Sequence, residues 1–230
     1  MKKDNFLYVL ALLVCLAASV VMYARNDFFR SGGWVMVLIL FSSILGFGLI
    51  FAKARQLLIS RIPAAPFVKD IFEKLERQRI KEAIDLCDKA NAPLSRVLRA
   101  GIMKYDLSRD EIRESMDNTL ACEQPALEEH LPVLAALVEV LPLLGFLGTF
   151  LGLAEIFQAI QFREAASLSP GLRDISAGLW QMLVPPIVGM TVLIPLLLGY
   201  YFLSSKLKAL LEDIRLSSKE LLAFLLERRA

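Results

Sequence analysis

An apolar run from Val133 to Ile160 contains the stretch Pro142-Leu-Leu-Gly-Phe-Leu-Gly-Thr-Phe-Leu-Gly152, and this run limits the fold more than any other part of the chain. On a helix advancing about 100° per residue, Gly145, Gly148, Thr149 and Gly152 fall on one narrow face. Between helices in lipid there is little hydrophobic drive, so close backbone approach over small residues takes its place. That face is expected to receive another helix, with the Thr149 hydroxyl directed into a protein seam and not into lipid. The pattern describes one wall of a helical membrane assembly.

Composition agrees. Apolar residues make up 56% of the chain, charged residues 22%, and mean hydropathy is +0.55. A soluble domain with that excess would expose large apolar patches. A net charge of +2 gives no reason to expect a nucleic-acid partner. Cys15, Cys87 and Cys122 are scattered and odd in number, which excludes a disulfide framework. His130 is the one histidine, and no Cys/His cluster offers a metal site. The chain has no lysine following a glycine loop, no Ser/His/Asp arrangement and no H-E-x-x-H. No catalytic residue and no cofactor is therefore expected, and energy must come from an ion gradient or a partner.

Four apolar segments have the length of a membrane span. Phe6 to Ala24 has 19 residues, covering about 28 Å at 1.5 Å per residue. Two readings of it stand, a retained span and a cleaved leader. Met22-Tyr23-Ala24 lacks a small residue at the first position of an A-x-A-like site, which favours the span. Trp34 to Ala52 follows Gly32-Gly33 and precedes Lys53, Arg55 and Arg61. The third run is Val133 to Ile160, whose first turns are expected to extend out of the membrane as part of a cytoplasmic helix. The fourth is Gly178 to Leu203, followed by Lys206 and Lys208. Lys2, Lys3, Lys53, Arg55, Arg61, Lys206 and Lys208 lie on one side of this layout, and Arg25, Arg30, Arg163 and Arg173 on the other. The positive-inside rule then puts both termini and residues 53–132 in the cytoplasm.

That cytoplasmic segment reads as helical. Pro63 and Pro66 break the chain after the membrane exit. Val68, Ile71, Phe72, Leu75, Ile80, Ile84 and Leu86 then recur at helical spacing, and Pro93 starts a second helix carrying Leu94, Val97, Leu98 and Ile102. Ser108 and Glu111 form a capping box. The helix they open carries Ile112, Met116 and Leu120 and is expected to run through Leu127 toward the third span, with local kinks at Pro125 and Pro132. No β-rich segment is evident, so the expected fold is all-α, a multi-pass helical membrane protein with long helices extending into the cytoplasm. Its expected regions are an N-terminal span or signal-like segment (1–27), a second span with its cytoplasmic exit (28–62), a cytoplasmic helical region (63–132), a core of two spans (133–205) and a cytoplasmic C-terminal helix (206–230).

Three blocks of this sequence resemble the MotA/TolQ/ExbB proton-channel family, and its TolQ/ExbB branch in particular. The first is Phe29-Arg-Ser-Gly-Gly-Trp-Val-Met36. The second is Lys81-Glu-Ala-Ile-Asp-Leu-Cys-Asp88 with Ala92-Pro-Leu-Ser-Arg-Val-Leu98. The third and most specific joins Leu131-Pro-Val-Leu134 to Pro142 through Gly152 and ends at Phe157-Gln158. The resemblance covers about residues 28 to 225. It implies a ring-forming bacterial inner-membrane subunit, often five copies around a dimer of a small single-span partner of the ExbD/TolR type. That partner supplies the proton-carrying aspartate, and the complex passes work to a TonB-like or TolA-like protein. Thr149 matches the family's channel-facing threonine. Two positions depart from the pattern: Gln181 stands where the family has glutamate, and Pro186, preceded by Pro185, where it has threonine.

The channel-lining candidates are Thr149, Gln181, Pro185, Pro186 and Glu155, and the helix-packing candidates are Gly145, Gly148 and Gly152. Each has a plainer reading. The Thr149 hydroxyl can be satisfied by the carbonyl of Gly145. Glu155 lies within about 20° of Gly148 on the helix, facing the seam, yet an interfacial hydrated acid is the alternative. Glu139 is expected at the cytoplasmic water boundary. Pro185 and Pro186 free the carbonyls of Gln181 and Met182, which face either a wet lumen or a packing kink. Gln181 supplies polar lining or sits at the interface, and His130 is expected to be solvated.

Overall fold

The structure is a computed structural model, and it describes residues 2–59, 64–165 and 172–227, with side chains omitted at the N-terminus and beside the breaks. Its elements are α1 (Lys2–Arg25), α2 (Asp27–Arg30), α3 (Val35–Ile59), α4 (Ala64–Glu76), α5 (Ile80–Ala90), α6 (Pro93–Ile102), α7 (Arg109–Glu128), α8 (Leu131–Ala165) and α9 (Leu172–Glu227). There is no strand among the described residues, so the protein is all-α. Among the described residues three helices are long and apolar enough to cross a membrane: Val35–Leu57, Leu131–Phe162 and Gly178–Glu227. The protein is thus a multi-pass helical membrane protein. The segment 6–24 lies in α1, whose described side chains begin at Val14. The Lys2, Lys3, Arg163 and Arg173 side chains and the chain at Arg61 and Pro63 lie outside the described residues.

Two compact units make up the chain: Met1–Ala52 with Pro132–Tyr201, and Lys53–Leu131 with Phe202–Ala230. In the first unit, Val35, Met36 and Ile39 of α3 pack with Leu141 of α8 and with Val184 and Leu196 of α9. Close approach of α3 to α9 depends on glycine. A Cβ on Gly46 would lie 2.9 Å from Leu196 Cδ2, and one on Gly199 2.5 Å from Ile50 Cδ1. Large apolar side chains such as Leu143, Phe146, Phe150, Leu183, Ile187, Ile194 and Leu198 stay exposed in the protomer. Lipid or neighbouring membrane protein is the environment that accepts such a surface.

The second unit has a conventional core. Leu203, Leu207, Leu210, Ile214, Leu221 and Leu225 recur every three to four residues, or at twice that spacing, and bury one stripe of α9. Phe224 stacks on Phe72 of α4 with ring centroids 4.7 Å apart. Gly101 of α6 leaves room for Met116 of α7, whose Sδ would stand 2.6 Å from an added Cβ. Arg96 of α6 forms a two-point ion pair with Glu123 of α7, both contacts at 2.6 Å. The Ser108–Glu111 capping box is present, with the Ser108 N–H donating to the Glu111 carboxylate at 2.9 Å. These hydrogen bonds from Ser108 hold the Glu111 carboxyl below its usual range.

Local structure departs from the sequence expectation at several points. The pattern from Val68 to Leu86 belongs to two helices, because Gln78 turns left-handed with φ 58° between α4 and α5. The second of them buries Ala83 and Cys87, while Ile84 and Leu86 stay half-buried. Pro66 does not break the chain. It sits in the first turn of α4, where its missing N–H has no helical partner to lose. The helix from Arg109 does not continue into the third span. Glu129 is extended (ψ 137°) and His130 has φ 74°, which ends α7 and starts α8 afresh at Leu131. Pro132 then occupies the second position of α8, in its first turn, where proline is tolerated. Lys53, counted among the span-flanking cations, is buried at 1% exposure and donates to Gln56 Oε1 at 2.8 Å. Gln56 in turn donates to the Ala126 carbonyl at 3.3 Å.

Candidate functional site

The glycine face of α8 is filled by α9 of the same chain. A Cβ on Gly145 would lie 3.1 Å from Pro186 Cα, one on Gly148 would overlap Pro185, and one on Gly152 would lie 2.9 Å from Met182 Cα. As numbers rise along α8 they fall along α9, so the helices run antiparallel in this seam. Gly189 extends it the other way, its Cβ position 3.4 Å from the Leu141 carbonyl oxygen. The close approach expected of the small-residue face therefore exists, but the contact is intramolecular. Proline suits it for a physical reason. Its ring is compact and has no flexible end, so it seats in the hollow left by a missing side chain and costs little rotamer entropy.

Pro185 is accordingly buried and Pro186 half-buried. α9 stays helical through both and through Pro195. Proline at 185 and 186 removes the N–H groups that would bond the carbonyls of Gln181 and Met182. Met182 backbone atoms lie against Gly152. Within one protomer the Pro185 ring packs into the seam against Gly148, whereas Pro186 meets Gly145 through its Cα and Cβ and also lines a small cavity with Pro142, Phe146 and Met190.

Thr149 is half-buried and donates its hydroxyl to the Gly145 carbonyl at 3.2 Å. Thr191, roughly 140° around α9 from Pro186, is exposed and donates to the Ile187 carbonyl at 2.7 Å. Glu155 is exposed and does not sit inside the glycine seam. It stands at the seam's margin, where Gln181 Nε2 donates to its carboxylate at 2.5 Å. Beside this pair, Gly178 lies against Ile156 so closely that a Cβ would overlap it. Sequence reasoning placed both polar residues on candidate faces but did not bring them together. It also missed Gly46, Gly178, Gly189 and Gly199 as packing positions. Spacing within one helix does not tell which residue of another helix it meets, so no signal in a single sequence pairs them.

Glu139 is exposed on the first half of α8, and His130 is half-buried at the α7–α8 turn with Glu129 Oε1 3.8 Å from its Nδ1. No group of three His, Cys, Asp or Glu side chains is placed to hold a metal among the described residues. In the second unit, burial pushes the Cys87 thiol up to about 11, Asp88 adding to the effect and Arg99 opposing it.

The MotA/TolQ/ExbB proton channel family model matches residues 89–215, over half of the chain, including α8 and the membrane part of α9. A putative biopolymer transport protein, an ExbB homolog from Methanothermobacter thermautotrophicus, is 25% identical over 194 residues, covering 84% of this chain and 67% of that protein. A putative ExbB-like 3 biopolymer transport protein from Synechocystis sp. is 27% identical over 169 residues, covering 73% of this chain and 79% of that one.

Proposed function

The chain belongs to the MotA/TolQ/ExbB proton channel family, and from that premise we propose that it is the ring-forming subunit of an energy-transducing complex of the bacterial inner membrane. Several copies, five in the simplest ring, surround a single-span partner of the ExbD/TolR type. Proton flow past the partner's membrane carboxylate moves ring and partner against each other, and the movement serves transport or envelope work through a TonB-like or TolA-like protein. Both termini and residues 53–132 are cytoplasmic in this reading, and 161–177 face the other side. The relatives' names, which describe biopolymer transport, point the same way.

The observation that carries the reading is the match over 89–215, because it includes both helices of the Gly–Pro seam and keeps Thr149 within it. The seam makes α8 and α9 one rigid wall element. Thr149, Gln181 and the proline-freed carbonyls of Gln181 and Met182 are the lumen's polar groups. The driving energy is adequate, since one charge crossing 100 mV is worth about 2.3 kcal/mol.

A second reading is a non-conducting scaffold derived from the family. It is favoured by the Thr149 hydroxyl being spent on the Gly145 carbonyl and by Pro185 being buried. Proton leak in vesicles holding the ring and its partner separates the two. Flux that falls in Thr149→Val supports conduction. Absence of flux in the wild type, with flux appearing in Pro186→Thr, identifies a silenced ring.

A further inference from the structure

On α8 the sequence holds no charged residue between Glu139 and Arg163 except Glu155, and on α9 none between Asp174 and Lys206. Glu155 lies seven residues before Phe162, the last residue of the apolar stretch Leu131–Phe162 of α8, about 10 Å from it along the helix. An acid inside a span is costly and is kept where it is used. We propose that Glu155 and Gln181 form a proton-binding site in the α8–α9 wall, where the Glu155 carboxylate takes up and releases a proton while the Gln181 amide stays bonded to it in both states.

The choice of partner carries the inference. A lysine or arginine beside Glu155 would hold it ionised, and a second acid would compete for the same proton. The Gln181 amide is neutral and does neither. It has two N–H donors on Nε2 and an acceptor on Oε1. Toward the ionised carboxylate it donates, as the structure has it. Toward the protonated acid it turns its Oε1, which accepts the new O–H. The proton comes from water at the exposed carboxylate and returns there or passes to a partner carboxylate. The O–H bond is the only covalent bond that forms or breaks.

The surroundings hold the pair in place while leaving it accessible. Gly152 against Met182 and Gly178 against Ile156 fix the two backbones on either side of it. Glu155 is exposed in the protomer, so its own α8–α9 wall does not close it off from a proton donor. On α8 the next polar side chain one turn along is Gln158, which is uncharged. Phe28 of α2 meets Trp180 of α9 with centroids 6.2 Å apart, and the charged groups of that neighbouring segment are Arg25, Asp27 and Arg30, all exposed. Arg163 and Glu164 on α8 and Arg173 and Asp174 on α9 are the remaining charges at this end, their side chains outside the described residues.

Use of the site in transduction rests on the ring reading above, but proton binding does not. The test is infrared difference spectroscopy of the purified full-length protein in lipid nanodiscs, recorded across a pH titration. The expected result is a carboxylic-acid C=O band that is lost in Glu155→Gln and moves to higher frequency in Gln181→Leu, where the acid loses its amide partner. A titrating band unchanged in Glu155→Gln, or one unmoved in Gln181→Leu, overturns the proposal. Glu155→Asp guards against misfolding: it keeps a carboxyl on a shorter stem, so the band must persist and shift, and an unshifted band also overturns the proposal. Loss of proton flux in wild-type vesicles, with the infrared band intact, would instead refute conduction by the ring and leave this site standing.

Discussion

Gly148→Ala puts one methyl group where the structure has no room for it. The new Cβ overlaps the Cβ of Pro185 and stands 2.7 Å from its Cγ. Pro185 cannot swing away, because its ring is closed on the α9 backbone. The helices must separate or bend, and overpacking of this kind costs about 1–3 kcal/mol. Alanine also raises helix propensity over glycine by about 0.5–1 kcal/mol, which would mask part of the loss. Gly48→Ala on α3 supplies the correction: an added Cβ there meets nothing within 4 Å, and it carries the same propensity gain. The difference between the two variants isolates the seam. At about 2–4 °C per kcal/mol, Gly148→Ala should fall below Gly48→Ala by roughly 2–12 °C in thermal stability. The assay is loss of the monodisperse peak in size-exclusion chromatography after stepwise heating in detergent. Equal stability of the two variants would refute the Gly148–Pro185 contact. Gly148→Leu should fall further, and its loss of assembly would follow from damage inside one protomer, not from a broken seam between protomers.

Other outcomes follow from the second unit and from topology. Cys122 is exposed and should react readily with maleimide at pH 8, whereas Cys87, buried and with its pKa pushed up to about 11, should resist until the unit unfolds. Because the folded thiol titrates above the ordinary value of 9.0, its contribution to stability is complete below pH 9 and is lost as pH rises toward 11, so Cys87→Ala should flatten the alkaline limb of the stability curve. Ser108→Ala removes the cap of α7 and should cost about 0.5–2 kcal/mol, read as faster amide exchange over the first turns of α7. Glu111 has a lowered pKa through the same bonds, so the cap's stabilisation should be present above the ordinary glutamate range and fade as pH falls through the lowered value. Ala90→Cys in a cysteine-free background should resist an impermeant reagent applied to intact spheroplasts, and labelling would refute a cytoplasmic 53–132.

How far the sequence could be read depended on whether a feature is local. The apolar runs at Trp34–Ala52, Val133–Ile160 and Gly178–Leu203 correspond to helices because length and hydropathy decide whether a segment suits lipid. The Ser108 cap and the start of α6 at Pro93 were legible because the atoms involved lie within one turn. The breaks at Gln78 and His130 were not, since either residue is compatible with a helix and no neighbouring residue in the sequence signals its positive φ. The same limit governed the site. A stripe of Gly145, Gly148 and Gly152 dictates that something approaches closely, but a helix face does not identify what approaches it. Folding brought Pro185, Pro186 and Met182 of the chain's own α9 into those hollows and set the register that joins Glu155 to Gln181. Helix faces are properties of neighbouring residues. The pairing of positions 26 apart in the chain is a property of two packed surfaces, and only the tertiary structure decides it.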